Sequence, residues 1–169
     1  MSTRPTAPST QVQYIQAQLD DQAHAEAILE LLNAYAEEPI GSGAPLPPDV
    51  RDNLIPGLTS HPGTLVILAH RDNEFIGIAS CFTGFSTFKA KPLINIHDIY
   101  VRPGHRGRGV ASGLINAVEQ VAREMDCCKV TLEVRQDNPV AERLYRRLGF
   151  GWASTLDSEV QYYFLEKRI

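Results

Sequence analysis

The chain has 169 residues, 43% hydrophobic and 21% charged, and carries a net charge of −4. These values fit one ordinary globular domain with a substantial core, and the acidic balance disfavours nucleic acid or a membrane surface as a general partner. Three cysteines make no disulfide framework and no zinc-ligand cluster, and the longest aliphatic run, residues 65–69, is far too short to cross a bilayer.

The N-terminus lacks the apolar core of a signal peptide, so the expected compartment is the cytoplasm. Residues 1–10 are rich in Ser, Thr and Pro and read as a disordered tail, leaving residues 11–169 as a single domain. Alternation over residues 12–18 predicts a first strand. Asp20 or Asp21 then caps a helix whose apolar stripe is Ala25, Ile28, Leu29, Leu32 and Tyr35. A Gly/Pro-rich loop over residues 39–48 ends that helix. A second short helix follows over residues 49–58, with Val50, Leu54 and Leu58 four apart. Residues 64–70 and 74–82 form a hairpin around the polar turn 71–73. Residues 83–92 read as a loop carrying Phe85, Phe88, Lys89 and Lys91. Strand 93–101, helix 107–125 and strand 129–135 make a βαβ unit, which requires its two strands to be parallel. A last helix is capped by Asp137 or Asn138, starts with Pro139, buries Val140, Leu144 and Leu148, and ends at Gly149 with Phe150 folding back. Residues 151–153 and 161–165 read as closing strands.

The chemistry concentrates in residues 101–114, V-R-P-G-H-R-G-R-G-V-A-S-G-L. A strand here feeds a turn holding Gly104, Gly107 and Gly109 with Arg102, Arg106 and Arg108 and no acid, directly before a helix. The free N–H groups of a first helical turn and the helix dipole favour an anion there, and glycine lets the backbone approach phosphate oxygens. The basic cluster is local and suits a small anion, such as the pyrophosphate of a nucleotide cofactor. Two other interpretations compete: a tight loop with solvated arginines, and a dinucleotide-binding turn. Against the second, Gly107, Gly109 and Gly113 are spaced G-x-G-x-x-x-G, and residues 101–106 insert a loop where that motif needs a tight turn.

Two blocks resemble the GNAT superfamily of N-acetyltransferases. One is V-x-P-x-x-R-G-x-G-V-A-x-x-L (Val101, Pro103, Arg106, Gly107, Gly109, Val110, Ala111, Leu114). The other, one helix and one strand later, is N-P-x-A-x-x-x-Y-x-x-x-G-F (Asn138, Pro139, Ala141, Tyr145, Gly149, Phe150). The resemblance implies an acyl-CoA N-acyltransferase fold: an α/β protein with a mixed, mostly antiparallel sheet of six to seven strands, helices on both faces and one parallel pair that splays after Val101. It implies acetyl-CoA as cofactor and no metal. The pyrophosphate would lie on the backbone amides of Arg106, Gly107, Arg108, Gly109, Val110 and Ala111, with Ser112 closing the run. The pantetheine arm would run along Ile99, Tyr100 and Val101. Asn138 would contact that arm, often through water, with Ala141 also on the cofactor side, and Tyr145 would stand beside the thioester sulfur. Such enzymes are often homodimers.

The chemistry is consistent with these roles. An alkylammonium, with a pKa of roughly 10, must lose a proton before it attacks a thioester. The departing thiolate needs a proton, which a tyrosine can give, and a backbone N–H near residues 99–101 can stabilise the oxyanion. On strand 93–101 alternation puts Asn95, His97, Ile99 and Val101 on one face and Ile96, Asp98 and Tyr100 on the other. His97 occupies a position where several branches of the superfamily carry a catalytic Glu or His, and a histidine titrates near 6.5 when unperturbed. It is the expected base, through a water. Asn95 replaces a glutamate common two residues earlier. Asp98 can orient His97 or bind the substrate ammonium, and Glu133 reads as a polar residue or a substrate contact. His97 and Tyr145 also read as a strand histidine and a core aromatic. The expected reaction is direct transfer to a primary amine, with a small cationic acceptor favoured over a protein N-terminus or lysine. A non-catalytic acyl-CoA-binding module is the alternative of a different class.

Overall fold

The computed structural model describes residues 11–151. The expected N-terminal tail and the strand expected at 161–165 lie outside that range, as does most of 151–153; Gly151 itself is not in a strand. The described residues fall into two compact units, one running to Glu133 and one starting at Val134.

The first unit contains β1 (Gln13–Gln16), α1 (Gln22–Glu37), α2 (Pro48–Ser60), β2 (Thr64–Arg71), β3 (Glu74–Ser86), β4 (Lys91–Val101), a 3₁₀ turn (Pro103–His105), α3 (Val110–Glu124) and β5 (Val130–Leu132). The strands pair in chain order as one sheet. All pairs are antiparallel except β4 with β5, the parallel pair that the βαβ pattern requires. Among the described residues the sheet has five strands rather than six to seven.

The central strands are buried on both faces because helices cover both. Val66 and Leu68 of β2, Ile78 of β3 and Tyr100 of β4 pack with Ile28 and Leu31 of α1 and Leu58 of α2. The alternate residues of β2 and β3 face α3, which packs across β1 to β4. Fully buried side chains such as Ile28 and Leu31 each stabilise the fold by about 1.5–3 kcal/mol relative to exposure. The β2–β3 hairpin closes through Asp72 and Asn73, at φ 52° and 65°. Both are left-handed, as a two-residue turn matched to strand twist demands.

Several expectations need correction. The buried stripe of α1 is Ala27, Ile28, Leu31, Leu32 and Ala36, so Ala25 and Leu29 yield to neighbours that face the sheet more squarely. In α2 only Leu58 is buried and Val50 is exposed. The loop expected over 83–92 is mostly strand. β3 runs to Ser86 and β4 starts at Lys91, because each continues the other's hydrogen-bonded ladder, and Phe88 stands fully exposed at the tip. β5 has three residues, shorter than the expected 129–135.

Gly113 also acquires a reason. A Cβ there would collide with the Tyr14 ring of β1, so the glycine permits close packing of α3 on the sheet. Gly113→Ala should therefore lower stability by about 1–3 kcal/mol in urea unfolding through overpacking. Alanine's higher helix propensity alone would raise it by about 1 kcal/mol, and a gain in stability would contradict the packing.

Candidate active site

The turn after β4 forms an open cradle of backbone groups. Gly107 and Gly109 take φ 72° and 83°, and a Cβ on either would meet no protein atom within 4 Å. The space beside this backbone is therefore open. Gly109 is the N-cap of α3 and no side chain caps the helix. The helix begins at Val110, three residues later than expected, because two left-handed glycines cannot continue a right-handed turn. The Gly113 N–H reaches Gly109 O at 3.0 Å, which leaves the N–H groups of Val110, Ala111 and Ser112 facing outward without intrahelical acceptors. The Arg106 N–H, expected in the cradle, donates to Pro103 O within the 3₁₀ turn.

The arginines do not ring this cradle. Arg106 donates from Nε to Val101 O and from Nη2 to Glu38 Oε1, both at 2.8 Å, and its guanidinium lies 5.5 Å from the Tyr100 ring centroid. Arg102 donates to Phe75 O at 3.0 Å and to Glu30 Oε2 at 3.2 Å. Both brace the turn against the sheet and α1. Arg108 alone of the three is exposed with no partner among the described residues.

β4 departs from simple alternation. Ser80 pairs with Asp98 and Cys81 with Ile96, so His97 is the extra residue of a β-bulge. The expected faces are thus corrected. Asn95, Asp98 and Tyr100 share the face toward α1 and α2, whereas Ile96, Ile99 and Val101 share the face toward α3. His97 is exposed, with its ring edge-on to Phe82 at 5.7 Å between centroids. Parallel pairing with β5 ends at Ile96 and Leu132, so the parallel pair parts at the bulge, ahead of Val101. From His97 on, β4 has no strand partner on that side among the described residues. Ile99 is half-buried and Tyr100 belongs to the core.

Along the α1–α2 face lies a polar strip. Asn95 Nδ2 donates to Thr131 Oγ1 at 3.1 Å. Ser80, which reasoning from sequence passed over, donates its hydroxyl to Asp98 Oδ2 at 2.6 Å. The one available clue was a polar residue inside the apolar run I-A-S-C-F. Glu133 is exposed just past β5. At the end of α1, Glu37 accepts from Asn33 and Glu38 from Arg106. Cys81, on the opposite face of β3, is fully buried. Burial, then the Asp98 charge, pushes its thiol up to about 12, so it is no thiolate nucleophile at neutral pH.

The second unit holds α4 (Pro139–Arg147). Asn138 caps it as expected, accepting from the Ala141 N–H at 3.1 Å. The helix closes with the Gly149 N–H on Arg146 O, the Phe150 N–H on Tyr145 O, and Gly149 at φ 90°, a Schellman motif. The Phe150 ring packs 6.1 Å from that of Tyr145. Tyr145 is the buried residue of this helix; Val140, expected inside, is exposed.

Known proteins share these elements. The chain matches the acetyltransferase (GNAT) family over residues 25–150. It is similar to the thialysine N-epsilon-acetyltransferase of Bos taurus, 36% identical over 74 residues that make up 44% of this chain and 43% of that one. The curated relatives are matched over about half of their length. Among solved structures, a probable acetyltransferase superposes with a TM-score of 0.76 at 25% identity, covering 92% of this chain and 98% of that one. An aminoglycoside N-acetyltransferase in complex with CoA shares the fold with a TM-score of 0.72 at 19% identity, covering 99% and 100%.

Two outcomes follow for the site. Gly109→Ala should cost about 1–2 kcal/mol in chemical unfolding from the left-handed backbone alone; no loss would mean the turn adopts another conformation. Cys81 should resist alkylation at pH 8 until the protein unfolds. An unfolded-chain thiol ionises near about 8.5 and the folded one near about 12, so the folded state holds the extra proton between them. The Cys81 contribution should thus make stability fall as pH rises through that window, which a urea series at several pH values checks against Cys81→Ala.

Proposed function

This chain belongs to the GNAT family of acetyltransferases, and we propose that it moves an acetyl group from acetyl-CoA directly to the primary amine of a small cationic molecule. The observation that carries the proposal is the open run of N–H groups at the start of α3, beyond a strand whose β5-side edge has no strand partner among the described residues from His97 on. That cradle fits a pyrophosphate: it offers donors, left-handed glycines with open space beside them, a helix dipole, and Arg108 for charge. The family resemblance extends cofactor contact to Ile99, Tyr100, Val101, Asn138, Ala141 and Tyr145.

Acetyl-CoA supplies an activated acyl thioester when bound. The residues of the chain then manage charge and protons. The main-chain edge at 99–101 can align the pantetheine arm as an added strand, and an N–H there can stabilise negative charge on the acyl oxygen. His97, exposed at the bulge, can take the proton of the ammonium through a water. Tyr145 gives a proton to the departing sulfur. With Cys81 buried and protonated, an acyl-cysteine route through it is disfavoured, which supports transfer in a ternary complex. The relatives named for thialysine and aminoglycosides support an amine acceptor.

Thiol release from acetyl-CoA, screened over thialysine, polyamines, amino sugars and a peptide with a free N-terminus, tests the proposal. Release is expected with small amines; release with the peptide alone would move the acceptor class to proteins, and none with any amine would favour a binding module. Tyr145→Phe should keep CoA affinity in calorimetry and lose about 100-fold or more in turnover, the scale of a general acid. Normal turnover would remove Tyr145 from that role.

A further inference from the structure

Ser80 is 2% exposed and is the one fully buried polar side chain among the described residues. A buried hydroxyl must be hydrogen-bonded to be tolerated in a core. Its partner is Asp98 Oδ2 at 2.6 Å, the residue directly opposite it in the β3–β4 ladder. The bulge creates this pairing. In an unbulged register His97 would stand opposite Ser80 and Asp98 would face α3.

The other carboxylate oxygen, Oδ1, meets no donor among the described residues, and no Lys or Arg pairs with Asp98 there. A half-buried carboxylate held by one neutral hydroxyl therefore has an oxygen open to a further donor on this face of the sheet. Two residues along the same face of β3 stands Phe82, which lines an open groove of about 490 Å³ with Leu54, Leu58 and His61, and Asp49 and Asn53 at its polar side. An apolar wall on the same face of the sheet as a carboxylate with no cation beside it among the described residues suits an ammonium group on an aliphatic stem.

We propose that Asp98 receives an ammonium group of the acceptor amine and that Ser80 is its positioning residue, holding the carboxylate in the receiving orientation. This rests on acetyl transfer to a cationic amine. Acting through Asp98, Ser80 touches neither the cofactor nor the reacting atoms.

Steady-state thiol release with thialysine as the amine separates this role from a structural one. Ser80→Ala should raise the KM for thialysine about tenfold, the scale of a hydrogen bond to a charged group, with the KM for acetyl-CoA unchanged. Ser80→Thr, which keeps the hydroxyl, should restore it, and Asp98→Asn should raise it at least as much as Ser80→Ala. An unchanged KM for thialysine in Ser80→Ala, or parallel rises in both KM values, would overturn the assignment. If the native protein releases no thiol with any amine, acetyl transfer fails while the ammonium site stays testable. Calorimetric titration with thialysine then supports the site if Asp98→Asn and Ser80→Ala weaken binding, and overturns it if the native protein does not bind or the variants bind equally.

Discussion

β4 has to satisfy two neighbours at once. Toward β3 it runs antiparallel over its full length, whereas toward β5 it runs parallel and pairs only from Ile94 to Ile96. The extra residue at His97 reconciles the two. Ahead of it the strand closes the sheet; beyond it, the backbone edge is released on the β5 side and the faces exchange. That one inserted residue sets which side chains look toward α1 and α2, and it brings Asp98 opposite Ser80. A substitution can change a side chain here, but only loss of the bulge would reverse the face.

The turn beyond β4 follows a similar division between backbone and side chain. Its outward donors are main chain, while Arg102 and Arg106 point away to Glu30 and Glu38. Partly exposed ion pairs of this kind contribute little stability singly. Their value here is geometric: Arg106 ties the end of β4, the end of α1 and the Tyr100 ring to one guanidinium. A loop held this way presents its amides already oriented, so less ordering is required when an anion arrives.

Much of the architecture was legible in the residues. Helix caps at Asp21 and Asn138, the turn at Asp72 and Asn73, the glycine stop at Gly149 and the parallel β4–β5 pair depend on local chemistry or on connection length. The two family blocks placed the glycine turn between the right strand and helix. Less visible were the ends of elements. The hairpin tip around Phe88 and the short β5 depend on how far partner strands continue, which no local pattern records.

By itself the sequence determined the α/β class and the glycine turn before α3, because both follow from spacing along the chain. Only the tertiary structure decided the faces of β4, the partners of the arginines and the pairing of Ser80 with Asp98. Alternation predicts a face only while the register is continuous, and one bulged residue inverts it. An arginine's position in sequence says nothing about which carboxylate, up to seventy-two residues away, the fold will bring beside it.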